Sequence, residues 1–349
     1  MDTRHNTAHA AAWREHEKRA HSSSGIHHHH SHAPASQHGE GHHLLQVENL
    51  SIGFNRYEPQ AGLMARKSRV DVIHALNIAV HRGELLALVG ASGAGKTLLA
   101  NTLLGRFEPN ACVEGCIWFD GQLQSQKTLA QLRGRCISLV PQSVLALDPL
   151  MKVGRQLAGG GRRAGVRGRD SRARTEKQCS LFEHYGLGEA VAGLYPFELS
   201  GGMARRVLLC TALMDDPELI IADEPTPGLD LELAVRATGD LRAFVDRGGS
   251  VLLITHDIEL ALRVADRVAV FQGGTVIEET AVENFASPAT LRQPFTRALW
   301  HALPEHDFAV MPGEQGPALP DEAPEYRNAR DRATHAEPAP VLPVDDEEG

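Results

Sequence analysis

Leu85-Leu86-Ala87-Leu88-Val89-Gly90-Ala91-Ser92-Gly93-Ala94-Gly95-Lys96-Thr97 joins an apolar run to the pattern G-x-x-x-x-G-K-[ST]. The run reads as a buried strand, the glycines as a tight turn, and Lys96-Thr97 as the start of a helix. At such a turn, backbone N–H groups from Gly90 to Gly95 point inward and can cradle phosphate oxygens. The Lys96 ammonium reaches the β and γ phosphates, and the Thr97 hydroxyl is placed to ligate Mg²⁺. The stretch therefore predicts a nucleoside triphosphate site on a parallel α/β sheet.

A second stretch supplies chemistry to match. Leu219-Ile220-Ile221-Ala222-Asp223-Glu224 is a short apolar run that ends in two carboxylates. Open parallel sheets bind ligands at the carboxyl ends of their strands, which is where this pair falls. Asp223 is the candidate Mg²⁺ holder, directly or through water, and Glu224 the candidate that polarises an attacking water.

Working outward, short apolar runs alternate with helical patterns from Leu44 to about Phe271, which predicts an α/β domain over residues 44–287. Two segments, Cys116–Gly121 and the hairpin pattern around Gly273-Gly274, point to an antiparallel layer beside the main sheet. Residues 143–213 lack strand patterns and read as an inserted helical subdomain. Within it, a Gly/Arg-rich stretch from Gly154 to Arg174 reads as a surface loop. The tract 1–43 is rich in His, Ser and Ala without apolar periodicity, so it is not expected to build a core. Residues 288–349 read as one helix, 294–303, followed by an acidic, Pro-rich tail.

Composition narrows the function classes. With 42% hydrophobic residues in 349, the chain has enough apolar side chains for a sizeable core. No apolar run approaches the roughly 20 residues that cross a bilayer, so a membrane role is expected to be peripheral. The net charge of -9 collects largely after residue 304, and the absence of a basic face argues against a nucleic-acid partner. The five cysteines show no metal-ligand spacing, which fits a reduced, cytosolic setting.

The order of further motifs resembles one family, the ATP-binding cassette proteins or ABC transporter ATPases. Leu199-Ser200-Gly201-Gly202-Met203 resembles the family's signature loop, usually ending in Gln, ahead of a helix expected to begin near Ala204. Gln142, after Leu139-Val140-Pro141, matches the Q-loop glutamine; Gly228-Leu229-Asp230 matches the D-loop; His256 in Ile254-Thr255-His256-Asp257 matches the switch histidine. These run in family order from Gly90 to His256. The resemblance implies a RecA-like P-loop core with an antiparallel layer and a helical insert, and ATP with Mg²⁺ as the bound species. It implies that Gln142 contacts Mg²⁺ or water, that His256 senses the γ-phosphate, and that Phe54 stacks on adenine, with Tyr57 as a competitor. It further implies that Ser200, Gly201 and Gly202 close over ATP held by a second cassette, and that Asp230 is among the nucleotide-binding residues.

Local wording resembles the importers for peptides, nickel and related chelates: Leu147-Asp148-Pro149-Leu150-Met151, Tyr195-Pro196-Phe197-Glu198 and Gln293-Pro294-Phe295-Thr296-Arg297-Ala298-Leu299-Trp300. Oligopeptide-type members often carry a cysteine cluster in the tail, and no cysteine follows Cys210, so no iron–sulfur cluster is expected. That absence, with His27, His28, His29, His30 and His32 as candidate ligands for a transition metal, shifts weight toward nickel or another metal chelate. The implied partners are a second cassette, integral membrane permease subunits on whose cytoplasmic side the chain sits, and indirectly an extracytoplasmic solute-binding protein. The alternatives are an accessory cassette without a permease, of the phosphonate-breakdown type, and a soluble cassette acting on nucleic acid.

Overall fold

The computed structural model describes residues 43–57, 67–91, 93, 95–158 and 169–303. Among the described residues ten strands form two sheets. β1 (His43–Tyr57), β2 (Lys67–His81), β4 (Ala111–Phe119) and β5 (Gln122–Leu123) make an antiparallel sheet in the order β2-β1-β4-β5. The larger sheet contains β3 (Leu85–Gly90), β6 (Ile137–Val140), β7 (Leu219–Asp223), β8 (Ser250–Thr255), β9 (Arg267–Gln272) and β10 (Thr275–Ala281), in the order β10-β9-β3-β8-β7-β6. All its neighbours run parallel except the β9–β10 hairpin. The fold is a P-loop α/β core with an antiparallel layer.

The larger sheet divides its side chains cleanly between two cores. Because successive residues of a strand face opposite ways, Leu85, Ala87 and Val89 enter one cluster while Leu86 and Leu88 enter the other. Ile220, Val251, Leu253, Val268 and Val270 follow the first set; Ile221, Leu252, Ile254, Ala269 and Phe271 follow the second. The second cluster is completed by β1, β2, β4 and Leu99, Ala100 and Leu103 of α1 (Lys96–Leu103). The first is completed by helices α3 (Val153–Leu157), α4 (Arg169–His184), α5 (Gly201–Leu213), α6 (Leu231–Asp246) and α7 (Ile258–Val264), and by side chains of α8 (Pro294–His301). Both faces being covered, the central strands carry continuous apolar runs instead of alternation. The short helix α2 (Gln126–Leu132) is closed by a reciprocal Ser125–Thr128 cap.

Three local expectations change. The hairpin around Gly273-Gly274 does not join the antiparallel layer: β9 pairs parallel to β3, so the hairpin ends the main sheet. The helix after the signature starts at Gly201 instead of near Ala204, because the Ser200 hydroxyl accepts from the Met203 N–H at 3.3 Å and caps it there. The later part of the Gly/Arg stretch is helical. In it Arg172 pairs with Glu176, and Arg174 bonds Asp215 at 2.6 Å and the Leu157 carbonyl at 3.1 Å. Arg162, Arg163 and Arg167 lie outside the described residues, as does all of 1–42.

One buried carboxylate clamps the carboxyl end of β2 to the amino ends of β3 and β9. Glu84 accepts from the His81 N–H at 2.7 Å, the His81 ring at 2.8 Å and Arg267 Nη1 at 2.7 Å, joining the end of β2 to the starts of β3 and β9. Burial by itself raises the Glu84 carboxyl, but these donors outweigh it and hold the group below the usual carboxylate range. A depressed carboxyl stabilises the fold above its unfolded value and stops doing so as the pH falls through its folded one. Glu84→Gln is therefore expected to cost about 3 kcal/mol at pH 7. Urea unfolding of both proteins should show that gap shrinking below about pH 4, near the free carboxylate value; a gap independent of pH would remove the clamp.

Candidate functional site

The phosphate-loop sequence folds as an abrupt exit from a buried strand. β3 ends at Gly90, where an added Cβ would lie 2.3 Å from the Phe271 carbonyl oxygen on β9, so only glycine lets the two strands end side by side. Gly95 sits at φ 102°, a left-handed turn open to glycine, and the helix starts at the next residue. Lys96 is 5% exposed. Its ammonium folds back over the loop, donating to the Gly90 carbonyl at 2.7 Å and the Ala91 carbonyl at 2.8 Å. Ser92 and Ala94 lie outside the described residues.

Around this loop is a cavity of about 250 Å³ lined by Gly93, Gly95, Lys96, Thr97, Leu98, Gln142, Asp223 and Glu224. β7 delivers Asp223 and Glu224 beside α1, and Gln142 follows the end of β6, the strand next to β7. Thr97 Oγ1 and Gln142 Oε1 approach to 3.4 Å. Glu224 adopts φ 47°, unusual for a residue with a side chain, and its N–H donates to the Ile254 carbonyl at 2.8 Å. Such a conformation costs on the order of 1 kcal/mol and persists where surrounding structure enforces it. The turn holds the buried Glu224 carboxylate at the cavity, where Oε2 accepts from His256 Nδ1 at 2.8 Å.

The electrostatics follow from burying three charges together. Burial lowers the Lys96 ammonium below its ordinary value, against the opposing pull of Glu224 and Asp223. Burial likewise raises the Asp223 carboxyl, and Glu224 adds to that, while Thr97, Lys96 and Arg205 act the other way. Asp223 Oδ1 is buried and has no hydrogen-bond partner among the described residues. An orphaned carboxylate oxygen, a hydroxyl and an amide oxygen facing one cavity form a hard-oxygen donor set, which fits Mg²⁺ better than a softer metal.

Other sequence candidates fall elsewhere. Ser200 and Gly201 are exposed at the start of α5 with Gly202 half-buried behind them, and Asp230 caps α6 by accepting from Leu233 N–H at 2.9 Å; none of them lines the cavity. Phe54, on β1, is half-buried and packs against the second core cluster. The side chain of Tyr57 and the histidines 27–30 and 32 lie outside the described residues. Among those residues no group of three or more His, Cys, Asp or Glu is placed to hold a metal. Sequence reasoning passed over Arg205, whose guanidinium bonds the Pro141 and Gln142 carbonyls. Its signal was a basic pair, Arg205-Arg206, directly after the signature.

The family profile described as ABC transporter matches residues 73–227. The oligopeptide transport ATP-binding protein OppD of Lactococcus lactis subsp. cremoris is 33% identical over 292 residues, 78% of this chain and 81% of its own length. The dipeptide transport ATP-binding protein DppD of the same subspecies is 30% identical, over 76% of this chain and 75% of its own. A solved ATP-binding cassette, dimeric and in a post-hydrolysis state bound to ADP and Pi, aligns with a TM-score of 0.57 at 25% identity, over 68% of this chain and 98% of that one. A phosphate loop, a carboxylate pair with its histidine and a signature helix, in a chain matching these relatives over three-quarters of its length, lead to one conclusion: the chain belongs to the ABC transporter family as an ATP-hydrolysing, ATP-binding cassette.

Proposed function

We propose that this cassette pairs head to tail with a second one and energises uptake of peptides through separate membrane-spanning subunits. The observation that carries the pairing is a division of parts. Lys96, Thr97, Gln142, Asp223 and Glu224 share one cavity, whereas Ser200–Gly202 stands outside it with its helix start exposed. A serine-capped helix start presents N–H donors suited to an anion, and a facing chain's γ-phosphate would meet them. Asp230 and Gly228 lie on the neighbouring connection and would line the same interface.

Within each site this chain's residues act by positioning. Lys96 exchanges its carbonyl partners for β- and γ-phosphate oxygens. Thr97, Asp223 and Gln142 would hold Mg²⁺, which when bound neutralises charge on the phosphates. Glu224 orients water in line with the γ-phosphate and takes its proton, and His256 holds the Glu224 carboxylate until a phosphate competes for its ring. Phe54 is the proposed adenine platform, with Tyr57 as its competitor.

A membrane partner is supported by exposed apolar side chains beside Gln142. Leu145 and Leu150 are 88% exposed and Phe197 74%. Lys152 lies over the Tyr195 ring, which stacks on Phe197 at 5.5 Å, so these segments form one surface. Such patches mark partner sites. No helix among the described residues is long and apolar enough to cross a membrane, which suits a peripheral subunit on the cytoplasmic side. Peptide as cargo rests on the names of the relatives. Nickel or another metal chelate is the second reading, favoured by His27–His30 and His32.

Copurification and uptake test this together. The chain is expected to isolate with integral membrane subunits, and vesicles containing them should accumulate labelled oligopeptide only with ATP. Robust ATP turnover in a complex lacking any membrane subunit would favour the accessory-cassette alternative. Accumulation of Ni²⁺ in place of peptide would select the second reading.

A further inference from the structure

We infer that Arg205 is a positioning residue for ATP hydrolysis, holding Gln142 against the Thr97 hydroxyl and tying that contact to the helix that Ser200 caps. Arg205 lies in the second turn of α5 and is 7% exposed. Its Nη1 donates to the Pro141 carbonyl at 2.8 Å and its Nη2 to the Gln142 carbonyl at 2.6 Å. One guanidinium thus grips two consecutive carbonyls where the chain leaves β6. That strand is the edge of the main sheet, bonded only to β7 among the described strands, so the sheet does not hold the backbone beyond Val140.

The grip reaches the cavity in one residue. The Gln142 backbone is held by Arg205, and its side-chain oxygen meets Thr97 Oγ1 at 3.4 Å beside Asp223 and Glu224. The two carboxylates are near enough to offset part of the burial of the guanidinium, which in turn favours the charged form of Asp223. A planar fork is needed because each of its two nitrogens serves a separate carbonyl. Lysine offers a compact point donor in its place.

The same arginine joins two functions that lie far apart in sequence. Ser200–Gly202 opens α5, and Arg205 is the next inward-facing polar side chain of that helix. Seating of α5 on a facing chain's nucleotide is thereby transmitted to this chain's own Gln142. That second step rests on the head-to-tail reading; the hold on Gln142 does not.

A double-mutant cycle tests it in the full chain, in the assembly with which it turns ATP over. Arg205→Gln, Gln142→Ala and the pair are compared by kcat and by the gain in affinity for a fluorescent ATP analogue on adding Mg²⁺. Arg205→Gln is expected to lower kcat about tenfold and to reduce the Mg²⁺-dependent gain by a similar factor, leaving Mg²⁺-free affinity unchanged. The double variant should fall no further than Gln142→Ala alone. Arg205→Lys, which leaves the helix packing more nearly intact, should recover part of both losses. Losses that multiply in the double variant would overturn the proposal. So would an Arg205→Gln or Arg205→Lys protein that melts earlier but keeps wild-type kcat and Mg²⁺ gain. The cycle is confined to one chain, so it reads the Arg205 role even if the pairing of cassettes proves different.

Discussion

Glu224→Gln is expected to lower kcat by about 10²- to 10⁴-fold while ATP affinity stays within about twofold. At 1.36 kcal/mol per decade, that is roughly 3 to 5 kcal/mol of transition-state stabilisation. The size follows from what the substitution preserves. Glutamine keeps the shape of a side chain that is 5% exposed, and it can still meet the His256 ring. It cannot accept a proton from water. Lys96, Thr97, Gln142 and Asp223 are untouched, so the phosphates remain held. The consequence is a cassette that loads ATP but hydrolyses it slowly, and the nucleotide-bound pair should accumulate. Phosphate release and equilibrium ATP binding, measured on the same preparation, check both halves; turnover near the wild-type rate would remove Glu224 from the chemistry.

Lys96→Ala should have the opposite signature, with binding itself failing. The buried ammonium already makes two short bonds to carbonyls, and each charge-assisted bond to phosphate is worth about 1.5–3 kcal/mol. Losing even a net 3 kcal/mol weakens ATP binding about 100-fold. The loss is deepened because Asp223 and Glu224 then face the triphosphate without their nearest balancing cation. Arginine should not restore the site, since a planar guanidinium cannot occupy the place of a compact ammonium against the Gly90 and Ala91 carbonyls. Equilibrium titration with ATP provides the check, and an affinity within twofold of wild type would contradict this role.

The parts of the site that were legible in the sequence are those whose chemistry needs neighbouring residues. A phosphate loop requires its glycines and lysine in one turn, and the carboxylate pair must end a strand, so both show as local patterns. The central strands were equally plain, because burial on both faces leaves uninterrupted apolar runs in β3, β7 and β8. β2 was hidden. Its core side chains Ile73, Leu76, Ile78 and Val80 break the two-residue period between 73 and 76, where Ala75 takes φ 41° and the register against β1 shifts. The hairpin at Gly273-Gly274 was visible as a hairpin, but its sheet depends on β3 accepting β9 as a parallel neighbour, which no local pattern encodes. Arg205 showed in the sequence only as one of a basic pair, and its role was hidden for a related reason: its partners lie 63 and 64 residues away.

The central claim, a nucleotide held by Lys96 of one chain and Ser200 of the facing one, is tested most directly by photocleavage. The full chain, in its native assembly, is trapped with ATP, Mg²⁺ and orthovanadate and irradiated, so that backbone next to the γ-phosphate position is cut. Two cuts in this chain are predicted, one within residues 90–97 from its own nucleotide and one at Ser200–Gly202 from the nucleotide of its partner. Cleavage within 90–97 alone, with 200–202 intact, would contradict the account.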